Sequence, residues 1–246
     1  MASHAATAER LIAGHIRSSR EHPDHAANIL TTPRTYWVSE TAGALDIPGT
    51  PSLECQRRIW WLADHMRSYA GQREVVPGMN NLTVELDPAA ADGDRLLEAL
   101  RTGWHESDAV NVSSRRIDIP VHYGGAGGCD LDAVARYTGL SAAEVIRLHC
   151  AAEYTVYFLG FLPGFAYLGG MDRRLAIPRR KEPRLAVPAG SVAIGGEQTG
   201  IYPSVSPGGW QLIGHTSLRL FDPARAPPSL WLPGDTVHFV NLGDAA

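Results

Sequence analysis

YTVYFLGFLPGFAYLGG, residues Tyr154–Gly170, is where helical spacing gives out and short strands take over. Apolar residues stop returning every three or four positions. Aromatic and β-branched side chains run on instead, broken by Gly160, Pro163, Gly164 and the Gly169–Gly170 pair. Runs of this kind between glycine and proline read as strands joined by tight turns. The same texture returns in RLAVPAGSVAI, QLIGHTSLRLF and DTVHFV, as far as Val240. Many short strands with Gly/Pro turns predict an all-β, barrel-like unit. Glycine allows close backbone approach and positive φ, and proline fixes φ. Phe161, Phe165, Tyr167 and the Trp210 ring of SPGGW (Ser206–Trp210) then supply rigid apolar surface. The combination predicts loops folded over a concave pocket. The plainer alternative is a set of barrel corners whose rings only fill the core.

Working back from that stretch, helices come into view. Ser141 with Glu144 has the spacing of a capping box for a helix carrying Val145, Leu148 and His149. Before it, Asp130 is placed to cap a shorter helix ending at Gly139. Ahead of the glycine run HYGGAGG, the alternation of Ile117, Ile119, Val121 and Tyr123 predicts a strand. Earlier still, Thr50 as N-cap and Pro51 at the first helical position open a helix. Its Cys55, Ile59, Leu62, Met66 and Tyr69 make one buried face, which reads Cys55 as core. Val75–Val76, the turn PGMNN, and Leu82, Val84 and Leu86 read as a hairpin. Leu96, Leu97, Leu100 and Trp104 lie on one side of a second helix, and YWVSETAGALDI is a weak strand pair. The β-α-β-β-α-β order over roughly 35–120 predicts a ferredoxin-like unit.

The predicted class is therefore α+β. Residues 1–34 read as a mostly disordered extension with a short helix near Thr7–Ile16 and solvated His22 and His25. A ferredoxin-like domain is expected over 35–118 and a β-barrel domain over 119–246.

Composition excludes several classes. A net charge of −4 predicts no nucleic-acid partner. No apolar run approaches the roughly 20 residues that span a bilayer, so no membrane association is expected. The first residues lack the apolar core of a signal peptide, and Cys55, Cys129 and Cys150 lie far apart with no CxxC spacing. A cytoplasmic protein without disulfides or a metal site follows from these. Lys181 is the sole lysine and precedes Glu182, so no Walker A loop is present and covalent biotin carriage has no amine elsewhere.

GFLPGFAYLGG, IPRRKEPRLAVPAGSVAI, QTGIYPSVSPGGWQLIGHT and LPGDTVHF together resemble the B-subunit family of bacterial 5-oxoprolinase. The family is also called KipI or allophanate hydrolase subunit 1. The resemblance is dense from about Ile119 to Phe239 and thinner over 35–118, where the glycine-aspartate entry usual at the first strand is missing. Cys129 stands where the family has proline in GPDL. The resemblance implies a ferredoxin-like domain followed by a cyclophilin-like β-barrel. It also implies a C subunit of the KipA, or allophanate hydrolase subunit 2, type and an A subunit. With these, ATP-dependent opening of 5-oxoproline to glutamate is the implied activity, a hydrolase reaction. ATP is then used by the assembled complex, since this chain has no recognisable nucleotide motif. Relatives imply two alternatives: inhibition of a sensor histidine kinase, or the carboxyltransferase part of a biotin-dependent urea or amide carboxylase.

Opening a lactam needs an activated carbonyl, a stabilised oxyanion and a proton for the nitrogen. The run PRRKEPR gathers Arg179, Arg180, Lys181 and Arg184 beside one acid, Glu182. Guanidinium groups hold carboxylate or phosphate in two-point contacts, which singles out Arg179 and Arg184. Phe165, Tyr167 and Trp210 are the expected aromatic wall, and the family stretch adds Gln198 and Tyr202 as substrate-binding residues. His149 and His122 are the candidate proton carriers, because imidazole titrates near neutral pH. Ser191 in AGSVA lacks the GxSxG elbow of a serine hydrolase. With no triad, metal cluster or nucleotide loop in view, the sequence predicts a subunit that contributes one wall of a shared site.

Overall fold

The alternating residues near the start of the regular region pair as read. β1 (Arg34–Trp37) and β2 (Ala42–Asp46) run antiparallel, with Tyr36 opposite Ala44. They belong to a computed structural model that describes residues 32–90, 92–107 and 114–243. The expected short helix at Thr7–Ile16, with His22 and His25, lies outside the described residues.

Helix α1 (Leu53–Met66) starts two residues later than expected. Ser52, not Thr50, is the N-cap, because its side chain sits one turn ahead of the Cys55 N–H and accepts from it at 3.1 Å. Strands β3 (Gln72–Pro77) and β4 (Asn81–Leu86) form the predicted hairpin, and α2 (Gly93–Glu106) follows. Leu82, Val84 and Leu86 of β4 are buried against Ile59, Leu62 and Met66 of α1 and Leu96, Leu100 and Trp104 of α2. Arg58 is buried with them. Its guanidinium donates to the carbonyls of Trp104 and Ser107 and lies 4.1 Å over the Trp104 ring.

This sheet has the order β1-β2-β4-β3. The strand expected to complete it, Ile117–Tyr123, is elsewhere, and β1 holds the edge beside β2 that a sixth ferredoxin-like element would take. β5 (Arg116–Tyr123) instead pairs parallel with β13 (Thr236–Asn241), Ile117 opposite Val237 and Val121 opposite Asn241. Its inward Ile119 and Val121 are fully buried in the barrel core. The division expected between residues 118 and 119 thus runs through a barrel strand.

The other barrel staves are β6 (Tyr154–Leu159), β7 (Ala166–Gly169), β9 (Ser191–Gly195), β10 (Gln198–Ile201) and β12 (Gln211–His215). They close in the order β10-β7-β6-β13-β5-β12-β9, with β9 returning to β10. Tyr154, Val156, Leu168, Val192, Ile194, Ile213 and Phe239 fill the interior. Helices α3 (Leu131–Thr138) and α4 (Ala142–Ala151) add Leu131, Val134, Val145 and Leu148 to the same core. The Ser141–Glu144 capping box is formed, and Gly139 ends α3 at φ 73°, in the left-handed region that glycine takes without strain. Outside the barrel, β8 (Arg184–Val187) and β11 (Ser206–Gly208) make a two-stranded ribbon. The sheet lobe is tied to the barrel by α1: Trp60 Nε1 and Gln56 Nε2 both donate to the Tyr157 carbonyl of β6, at 2.7 and 3.3 Å.

Candidate functional site

The ribbon strand β8 brings the basic loop onto the barrel wall. Arg184 opens β8 opposite Gly208, and its Nη2 donates to Asp130 Oδ1 at 2.8 Å and to Cys129 Sγ at 3.4 Å. Arg180 Nη1 reaches the same Asp130 oxygen at 3.4 Å. Arg179 lies over the Trp210 ring, its guanidinium carbon 5.8 Å from the centroid. The hydrogen bond to Asp130 raises the Arg184 pKa above its ordinary value, so this cation is fixed.

Beside these cations the predicted rings gather. Phe165, Tyr202 and Trp210 are buried in one cluster with Val187, Ala193 and Leu212, and Tyr167 packs against it half-buried. The rings meet edge to face, Phe165 with Trp210 at 5.6 Å and with Tyr202 at 5.8 Å, the geometry their quadrupoles favour. Phe161 caps the cluster: 58% of it is exposed, at a positive φ of 64°. The rings therefore pack on one another, and the face offered to a ligand is the cap and the arginine rim. Two glycines make this packing feasible. A Cβ on Gly195 would sit 2.6 Å from the Trp210 ring, and one on Gly208 2.4 Å from the Tyr202 hydroxyl. Burial raises the pKa values of Tyr202 and Tyr167, while Arg179 pulls both the other way and Arg184 acts on Tyr202 too.

Neither of the two histidines expected as proton carriers belongs to this cluster. His149 is fully buried inside the barrel, 4.3 Å from the Phe239 ring. Thr199 donates its hydroxyl proton to the Ala193 carbonyl at 3.0 Å, so its oxygen accepts from His149 Nε2–H at 2.8 Å. Nδ1 is then bare and accepts from the Tyr123 hydroxyl at 2.7 Å, whose oxygen accepts in turn from Cys150 Sγ–H at 3.4 Å. Burial pushes the His149 pKa down to about 3. A neutral imidazole with both nitrogens bonded and no exposed surface acts here as a structural hydrogen-bond bridge, an arrangement that gives no support to the proton-carrier role expected for it. His122 is exposed on β5, opposite His215 of β12, with Nδ1 3.4 Å from the Gly243 carbonyl. Gln198 starts β10 opposite Gly195, the residue that backs onto Trp210, and makes no side-chain hydrogen bond among the described residues.

Sequence reasoning reads Asp130 as a helix cap and misses its role between the arginines. The signal for it is one acid next to a glycine run, facing a loop with an excess of arginine. A separate cleft of about 490 Å³ lies between α1 and the turn at Leu232–Pro233, lined by Trp60, Trp61, Asp64, His65 and Arg67. Its ionisable groups are at the surface; Asp64 and Arg67 pair there, both well exposed, and His65 stacks on Trp61. The guanidinium–aromatic cluster has the fixed, converging charges that the cleft lacks, and is the better candidate. Among the described residues no group of three or more His, Cys, Asp or Glu is placed to hold a metal. No helix is long and apolar enough to cross a membrane among them.

The family model for the carboxyltransferase domain, subdomain C and D, matches residues 33–231. A protein of Escherichia coli O157:H7 named as the B subunit of 5-oxoprolinase is 54% identical over 207 residues, covering 84% of this chain and 95% of its own length. The solved structure of TTHA0988 superposes with a TM-score of 0.70 at 39% identity, over 81% of this chain. This chain spans 39% of that longer protein. Urea carboxylase of Kluyveromyces lactis superposes with a TM-score of 0.71 at 22% identity, over 85% of this chain and 22% of its own, a likeness of fold alone.

Proposed function

This chain belongs to the carboxyltransferase subdomain C and D family, and on that footing we propose that it is the B subunit of a 5-oxoprolinase. In this reading it acts with A and C subunits in the ATP-dependent opening of 5-oxoproline to glutamate, and is inactive alone. The observation that carries the reading is the 54% identity to a protein of that name over nearly its whole length.

The site supports it chemically. 5-Oxoproline is a small lactam ring bearing a carboxylate. Arg184 and Arg179 offer donors for the carboxylate, and the Phe161 cap with its rings offers apolar cover for the ring. In this reading both arginines are taken up by the carboxylate, and burial raises the Tyr202 and Tyr167 pKa values. A proton for the departing nitrogen and a partner for the developing oxyanion are therefore assigned to the partner subunits. The cluster is thus one wall, and the partner subunits supply the rest. A second reading, the carboxyltransferase component of a urea or amide carboxylase, has the fold likeness to urea carboxylase behind it. The test is co-expression with neighbouring A and C subunits, co-purification, and assay of glutamate release from 5-oxoproline with and without ATP. ATP-dependent release supports the first reading; a complex that ignores 5-oxoproline and carboxylates urea in the presence of a biotinylated partner supports the second.

A further inference from the structure

Asp130 sits between the glycine run at residues 124–128 and α3, and 6% of it is exposed. Its place in the chain is that of the α3 N-cap, yet its side chain makes no capping bond. Both carboxylate oxygens are engaged elsewhere. Oδ2 accepts from the Leu212 N–H of β12 at 2.7 Å, and Oδ1 accepts from Arg184 Nη2 at 2.8 Å and Arg180 Nη1 at 3.4 Å. A favourable local use of the carboxylate has been given up for one that joins the basic loop to the barrel wall.

Arg184 is unusual in turn. Its side chain is 22% exposed, and its Nη1 is enclosed with no acceptor among the described residues. Enclosed donors are nearly always paired, so a bare one on a fixed guanidinium asks for an explanation. The guanidinium plane is set by Asp130, and the Tyr202 phenol of the aromatic cluster lies within reach of its charge. Nη2 is committed to Asp130 and Nη1 is enclosed, so the Nε–H, which makes no hydrogen bond among the described residues, is the donor left beside the ring cluster for a charge-assisted contact with a carboxylate.

We propose that Asp130 is the positioning residue of an anion cradle. One oxygen orients Arg184, braced by Arg180, to receive the carboxylate of a small substrate, and the other anchors that orientation to β12. The inference rests on reading the Arg179–Arg184 loop as the substrate-binding rim. It assigns Asp130 no contact with the substrate.

The test uses the full chain with labelled arginine side chains, the Nε–Hε resonance of Arg184 being assigned through Arg184→Lys. Acetate and 5-oxoproline are the probes, titrated by NMR. In the wild-type chain the Arg184 resonance should move saturably with both. In Asp130→Asn the concentration needed should rise at least tenfold while the thermal midpoint stays within several degrees. Asp130→Glu keeps the charge one methylene further out; it serves should Asp130→Asn unfold, and is expected to weaken the response about threefold or more. A folded variant that responds like wild type reduces Asp130 to a structural ion pair and overturns the proposal. A wild-type resonance indifferent to both probes overturns it equally. In the assembled complex, Asp130→Asn should raise KM for 5-oxoproline at least tenfold and change kcat by less. If the titrations come out as expected but the wild-type complex does not turn over 5-oxoproline, the substrate reading fails and the cradle stands.

Discussion

Removing Arg184 leaves the Asp130 carboxylate buried with Arg180, at 3.4 Å, as its remaining cation. The loop is basic enough to suggest a surface role, and on sequence alone Arg184→Ala is expected to leave folding intact. The structure corrects that. Stranding a buried carboxylate is destabilising, and Arg184→Ala should cost about 1–3 kcal/mol. Arg184→Ala combined with Asp130→Ala should cost less than the sum of the two, because the second change removes the stranded charge. Additive costs from thermal melts would contradict the pairing. Trp210, packed on Phe165 and over Gly195, should lose about 3–5 kcal/mol as Trp210→Ala. His149 gives a pH dependence whose sign is fixed. Its folded pKa, about 3, lies below the ordinary value of 6.5, so below pH 6.5 the unfolded chain binds a proton that the folded chain refuses. Stability from this group falls by about 1.4 kcal/mol per pH unit as pH drops from 6.5 towards 3, and is level above 6.5. The stability gap between wild type and His149→Gln should therefore narrow as pH falls through this window; a gap constant from pH 7 to 4 contradicts the buried neutral bridge.

Among the elements, the hairpin β3–β4, helices α1 to α4 and most barrel staves are legible from periodicity, capping residues and Gly/Pro punctuation. β5 shows where that legibility stops. Alternation at Ile117, Ile119 and Val121 reports a strand with one buried face, and is silent on which sheet the strand joins. Its parallel partner β13 lies at the far end of the chain, and no local pattern records that pairing. The site divides in the same way. Arginines and rings in short, unusual runs are visible, whereas Asp130 is hidden behind a local use as a cap, and His149 looks reactive because burial cannot be read from one helix face. Glycines facing rings are visible only as punctuation. Gly195→Ala puts a methyl group 2.6 Å from the Trp210 ring, and should cost about 1–3 kcal/mol by overpacking, several degrees in the thermal midpoint. An unchanged midpoint would mean that Trp210 is free to move aside and that the aromatic wall is not rigid.

For the whole molecule, a sheet lobe and a barrel are held together by indole and amide donors of α1 on the Tyr157 carbonyl, and the arginine rim faces outward from the barrel side. In the proposed reading that rim holds charge and covers a ring, and proton transfer and nucleotide chemistry fall to other subunits. As proposed, this chain is a required but insufficient part of an enzyme acting on 5-oxoproline. The decisive measurement is glutamate release from 5-oxoproline by purified A and C subunits, with and without this chain and with and without ATP. Release that requires this chain and ATP together, and is absent from this chain alone, is the expected outcome. Release by this chain alone, or undiminished release when it is left out, would refute the proposal.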